Sequence, residues 1–255
     1  MNEILYASAK SIKEAIQNKK VSALEVVEAH LRRIEEVNPK LNAVVHLASD
    51  RALSEAKKAD SAMAKGESTG ILHGLPMTVK DSHDTQGLVS TGGTKGRETF
   101  VPESDATVVS RMRSEGAIVL GKTNTPELTL AFETDNLIYG RTNNPYGLDR
   151  TPGGSSGGAG AIIASGGSPV DLGTDTGGSV RVPSGFCGIS GLKPTSGRVP
   201  RTGHIISHSL GAIDSLTTVG PMARFVEDLA MVYPIISGPD WIDPAIVPMA
   251  LGNPA

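Results

Sequence analysis

Ser155, Ser156, Ser179 and Ser184 all sit beside glycines in one stretch of the chain, Gly153 to Thr195. A small hydroxyl on a glycine-flanked turn is open to an incoming carbonyl, which is what acyl transfer requires. Thirteen of the 30 glycines lie between Gly153 and Gly191. Glycine loses the most backbone freedom on folding, so this density argues against helix or strand interiors. It predicts sharp turns, close backbone approaches and N–H groups aimed at an anion. A flexible Gly/Ser linker has a similar composition. The apolar Ile162, Ile163, Val170, Leu172 and Val180 interleaved with the glycines exclude that reading.

Three nucleophile arrangements compete within this block. Gly153-Gly154-Ser155-Ser156-Gly157 fits G-x-S-x-G, but that elbow needs a strand directly before it, and Gly147 to Pro152 make a poor strand. Ser190-Gly191-Leu192-Lys193 fits S-x-x-K, but Pro194 denies it the helix start that motif needs. In the third, Gly177-Gly178-Ser179 sets a nucleophile just after backbone N–H donors, with Ser155 and Lys80 as a proton relay. Lys80 ends a short apolar segment, Leu75 to Lys80. Its charged form is costly to bury, so it either snorkels to solvent or sits neutral as a base. Spacing alone favours the surface position.

Other chemistry-bearing residues carry less. His83 and Asp84 are adjacent in sequence and so point in different directions. His204 and His208 are available to contact a ligand but lack metal spacing, and no metal or cofactor is expected. Gly116 to Thr123 matches the P-loop pattern literally, yet its variable positions form a hydrophobic strand rather than a phosphate-cradling loop. Cys187, the single cysteine, reads as a small core residue in a reducing compartment.

The elements that hold these residues read as an α/β pattern. Ser22 and Glu25 form a capping box for a helix from Ala23 to Val37, stopped by Pro39. A strand from Asn42 to Leu47 leads to a second helix, capped near Asp50 and ended by Gly66. After the Lys80 strand, Ser104 or Asp105 caps a helix to Ser114, and Ala117 to Leu120 is a buried strand. Residues 142–152 and 198–218 read as loops, and Pro221 to Ile236 as a helix broken at Pro234. At 255 residues, 38% hydrophobic and 20% charged, the chain suits a core-forming protein. A net charge of −3 gives no electrostatic case for nucleic acid. The first twenty residues read as neither signal peptide nor membrane span, which makes the cytoplasm the default.

At these residues the sequence resembles the amidase signature family. The resemblance rests on the glycine-rich block and on Gly74 to Asp81 (GLPMTVKD). It also rests on Gly121 to Asn124 (GKTN), the segment before Ser155, and Gly220 to Arg224 (GPMAR). It implies a mixed, twisted β-sheet covered by helices on both faces. It implies Ser179 as catalytic serine, Ser155 as a bridging serine after a cis peptide bond, and Lys80 as the base, reversing the surface expectation. The N–H groups of Thr176, Gly177, Gly178 and Ser179 would form the oxyanion hole. Ser156 would brace the relay, Asp175 and Arg181 would form a structural ion pair, and Ser184 would be structural.

The implied activity is hydrolysis of amides, and of esters or carbamates, through an acyl-enzyme without a cofactor. The partner is then the small-molecule substrate, with no nucleic acid bound directly and a homo-oligomer allowed. Ser165 to Pro169 looks more like the fatty-acid-amide-hydrolase branch. The alternative is a glutamine-hydrolysing component of a tRNA-dependent amidotransferase; a non-catalytic binding protein is a third class. The chain reads as one amidase domain: a helical scaffold over 1–66, a catalytic core over 70–236 and a Pro-rich tail over 237–255. Family members continue well beyond this point, so the expectation is of a self-associating chain with an open acyl pocket.

Overall fold

The computed structural model describes residues 2–67, 70–206 and 215–252. Helices α1 (Asn2–Leu5), α2 (Ala9–Gln17), α3 (Ala23–Leu41) and α4 (Ser49–Lys65) precede the site-bearing strands, with β1 (Val44–Leu47) between α3 and α4. The capping box of α3 forms as expected: Ser22 Oγ accepts from Glu25 N–H, and Glu25 Oε2 accepts from Ser22 N–H. The helix does not stop before Pro39 but runs to Leu41. In a last turn, proline forfeits only one intrahelical bond. Asn38 then closes the end: its carbonyl accepts from Asn42 N–H, and its side chain accepts from Ala43 and Val44 N–H.

Five strands follow, β2 (Pro76–Lys80), β3 (Ile118–Thr123), β4 (Val170–Asp175), the short β5 (Ser190–Gly191) and β6 (Thr218–Ala223). With β1 they build a six-stranded sheet in the order β1-β3-β2-β4-β6-β5. The β2–β3 and β2–β4 pairs are parallel and the rest antiparallel. This is the mixed sheet with helical cover that the resemblance implied. Lys80 ends β2, the strand held between two parallel neighbours, and all five residues of that strand are buried. Burial on both sides of parallel strands explains why β2 and β3 read as apolar runs rather than alternating ones.

The remaining helices are α5 (Thr107–Ser114), α6 (Gly157–Ala164), α7 (Arg181–Cys187) and α8 (Val226–Ile236). No side chain caps α5, because the Asp105 carboxylate instead accepts from Gln86 N–H and pairs with Arg113. Two expectations fail more broadly. The glycine-rich block does contain helix and strand interiors, α6 and β4. Glycine serves there to let α6 sit against neighbouring backbone: a Cβ on Gly158 would lie 2.4 Å from Asn124 N. Pro221 also belongs to β6, not to a helix, and its carbonyl still accepts from Leu192 N–H. The helix begins only at Val226 and carries Pro234 in its last turn unbroken. Among the described residues no helix is long and apolar enough to cross a membrane.

The Gly158 contact sets up a paired test. Gly158→Ala forces backbone apart and should destabilise the chain by about 1–3 kcal/mol. Gly185→Ala, in α7 with nothing within 4 Å of the new methyl, should be neutral or stabilising by about 0.5–1 kcal/mol. Thermal melts of both variants check this; equal effects would contradict the close-approach account of α6.

Candidate active site

Lys80 points its amine into the protein and is fully buried. Its Nζ lies 2.6 Å from Ser155 Oγ and 2.9 Å from Thr174 Oγ1. Burial brings its pKa down from 10.5 to about 7, against the pull of the Asp171 and Asp175 carboxylates. Ser155 follows a cis Gly154–Ser155 peptide bond and is likewise buried.

Lys122 offers a comparison, because it is also a fully buried lysine near a strand end. Its Nζ donates to the His83 carbonyl, to Thr85 Oγ1 and to Ser90 Oγ. Those two hydroxyls already donate to the His83 and Leu88 carbonyls, so they accept from Lys122. Three acceptors and no donor fit an ammonium with three protons. Burial lowers Lys122 less far, to about 8. Around Lys80 both partners are hydroxyls, and among the described residues neither donates elsewhere. A hydroxyl can give a proton as well as take one, so this amine has the surroundings a neutral base needs.

Ser179 sits on the turn between β4 and α7 and is 7% exposed. Its carbonyl accepts from Ser156 N–H at 3.1 Å, which ties the two serine-bearing turns together. Asp175 holds the turn from within. Its carboxylate accepts from the N–H groups of Gly178, Val180 and Arg181, and from the Arg181 guanidinium at 2.9 and 3.0 Å. Burial works to raise the Asp175 pKa, but Arg181 and these N–H donors hold it below the usual carboxylate value. The Gly178 N–H is therefore committed to Asp175, which takes it out of the four donors expected to form an oxyanion hole. Thr176 Oγ1 is in turn 2.8 Å from Thr217 Oγ1.

A cavity of about 170 Å³ opens onto Ser179. Thr176 and Gly177 line one side, and Thr129, Leu130, Ala131 and Phe132 the other. Leu130 and Phe132 are 70% and 61% exposed. Leu128 and Thr129, neither of them glycine, adopt left-handed backbone at the rim.

The structure thus brings Lys80, Ser155, Ser156, Asp175, Ser179 and Arg181 to one end of β2 and β4. Ser156 Oγ contacts the backbone of Thr174 at 3.4 Å, rather than a relay hydroxyl. Ser184 lies in α7, its hydroxyl on the Val180 carbonyl. His204 is not open to a ligand: it is buried against His83, with ring centroids 5.2 Å apart. His208 lies outside the described residues. Sequence reasoning missed Thr174, Asp171 and the Leu130–Phe132 wall. Asp171, a charge inside an apolar strand, carried the same signal that drew attention to Lys80. Nothing in the sequence around Leu130 marks it as a cavity wall.

This geometry has family company. Residues 25–253 match the Amidase family, and the chain belongs to it, among the amidase signature enzymes. The glutamyl-tRNA(Gln) amidotransferase A subunit of Sulfurihydrogenibium sp. (strain YO3AOP1) is 44% identical over 238 residues, 93% of this chain and 48% of that protein. A bacterial aryl acylamidase of the amidase signature family superposes with a TM-score of 0.90 at 36% identity, over 96% of this chain and 50% of its own. Fatty acid amide hydrolase gives a TM-score of 0.91 at 29% identity, over 98% and 44%. The chain spans about half the length of the curated relatives it matches.

The lowered pKa of Lys80 has a consequence for stability. Between about 7 and 10.5 the unfolded chain binds the proton that the folded one has released, so stability rises with pH across that window. Melting temperatures should climb over this range, and Lys80→Met should flatten the climb from its lower end, leaving the part from Lys122 that begins near 8. An unchanged profile in Lys80→Met would mean that Lys80 titrates normally.

Proposed function

We infer that the chain carries the acyl-transfer centre of an amide hydrolase, with Ser179 as nucleophile, Ser155 as bridge and Lys80 as base. The observation that carries this reading is the buried Lys80 amine, partnered among the described residues only by hydroxyls and 2.6 Å from Ser155. Ser179 Oγ attacks the carbonyl carbon while its proton passes to Ser155, whose own proton passes to Lys80 Nζ. The oxyanion gathers the N–H groups of Thr176, Gly177 and Ser179. As the tetrahedral adduct collapses, the C–N bond breaks and the relay reverses to protonate the departing amine. Water then takes the place of that amine, and the same relay deprotonates it to release the acid.

The cavity favours an uncharged, apolar acyl or aryl group. Among its described lining residues none is charged, and Leu130 and Phe132 supply aliphatic and aromatic surface. A second reading, hydrolysis of glutamine for a partner enzyme, draws on the 44% identity to amidotransferase A subunits. Glutamine carries an ammonium and a carboxylate, and the described lining has no charged group to receive either.

An aryl amide and glutamine, offered in parallel to the purified protein, separate the two. The hydrolase reading expects turnover of the aryl amide and a fluorophosphonate adduct on Ser179. Ser179→Ala should lower kcat on the order of 10⁴-fold. Turnover of glutamine alone would favour the second reading, and an adduct on Ser155 or Ser156 would restore the elbow arrangement.

A further inference from the structure

Asp171 has no part in the relay as described, yet it is fully buried and forms no ion pair with any described residue. Its Oδ2 accepts from Thr78 Oγ1 at 2.6 Å and from Thr123 Oγ1 at 3.0 Å, while its Oδ1 has no partner among the described residues. The two donors are not arbitrary neighbours. Thr78 lies two residues before Lys80 on β2, on the same face of the strand, and is the register partner of Asp171 on β4. Thr123 is the register partner of Lys80 on β3. The carboxylate is thus fixed by hydroxyls from β2, which carries the lysine, and from β3 beside it.

We propose that Asp171 is a positioning residue of the relay, a fixed counter-charge that makes the transient protonation of Lys80 tolerable without capturing it in an ion pair. This deepens the hydrolase reading and rests on it. In each turnover Lys80 must hold a proton briefly inside the protein, where an uncompensated ammonium is prohibitive. A carboxylate in contact would keep the ammonium permanently and end its use as a base. One held off by two threonines lowers the free energy of the charged form while leaving the amine free to release its proton.

Among the described residues, the other charged and titratable groups around Lys80 are compensated or neutral. On β4, Asp175 is paired with Arg181. On β3, Lys122 faces Asp81 from the loop after β2, two opposite charges whose fields offset. His83 from that same loop and His204 from the segment opposite are held neutral by burial, their pKa values pushed far down. Among the described residues, Asp171 remains as the charge without an ion-pair partner. Its own pKa is raised to about 6 by burial, against the two threonine hydroxyls, so it is ionised where Lys80 releases its proton.

Removing the charge should make Lys80 harder to protonate. In Asp171→Asn, the Lys80 side-chain NMR resonances should titrate about one pH unit lower than in the wild type. The acid limb of Ser179 phosphonylation by a fluorophosphonate, in which the Ser179 oxygen displaces fluoride from phosphorus, should move to lower pH with them, and the plateau rate should fall. Thr123→Val, which keeps the carboxyl but removes one of its donors, should shift both in the same direction by less. It decides the matter if Asp171→Asn does not fold. An unmoved Lys80 titration in a folded variant overturns the proposal, since a residue that merely packs would leave that titration in place. Phosphonylation absent at every pH, in the wild type as well, would count against the hydrolase reading alone, because the NMR titration does not depend on turnover.

Discussion

The candidate site depends on a lysine amine taken out of water and given, among the described residues, only hydroxyls to touch. A buried ammonium without a contacting carboxylate is unfavourable, and the protein responds by lowering the affinity of Lys80 for its proton to about 7. Everything near it follows from keeping that amine dry and aimed. β2 is placed between two parallel strands, so no edge of it meets solvent. β4 delivers Thr174 to one side of the amine, and the turn before α6 delivers Ser155 to the other. Because α6 and β4 lie between the two serines in sequence, one helix–strand unit carries a serine at each end, and the Ser156–Ser179 backbone bond closes the gap.

Lys122 shows that burial by itself does not make an amine neutral. Both lysines are fully buried and stand on neighbouring strands. Their partners differ: Lys122 also meets the His83 carbonyl, and the hydroxyls near it are already donating to carbonyls, so they can only accept. The protonation state of each amine is therefore written in the outward bonds of its neighbours. The Asp175 carboxylate applies the same logic to the Ser179 turn. By taking the Gly178 N–H it fixes the loop and, at the same time, removes one donor from the set that can face the cavity.

Part of the candidate site was legible in the sequence, for a physical reason. Glycines next to serines break local rules, and such breaks concentrate where function demands them. Spacing alone put Lys80 at the surface, and only the family resemblance reversed that. The capping box of α3 and the stop at Gly66 were legible because they depend on residues within one turn of each other. What failed depended on distant partners. Gly158 looked like turn material because its close approach to Asn124 is invisible along the chain. Pro221 looked like a helix start because nothing local reports that β4 and Leu192 wait on either side of it. The apolar wall of Leu130 and Phe132 went unread because exposed hydrophobics in a loop acquire meaning only from the cavity they face.

The central claim is that Lys80 rests as a neutral amine while Lys122 rests as an ammonium. Neutron diffraction on deuterium-exchanged crystals, at a pH between about 7 and about 8, counts the deuterons on each nitrogen directly. The account predicts that Lys80 Nζ carries two and Lys122 Nζ carries three. Three deuterons on Lys80 would contradict it, whatever activity the protein displays.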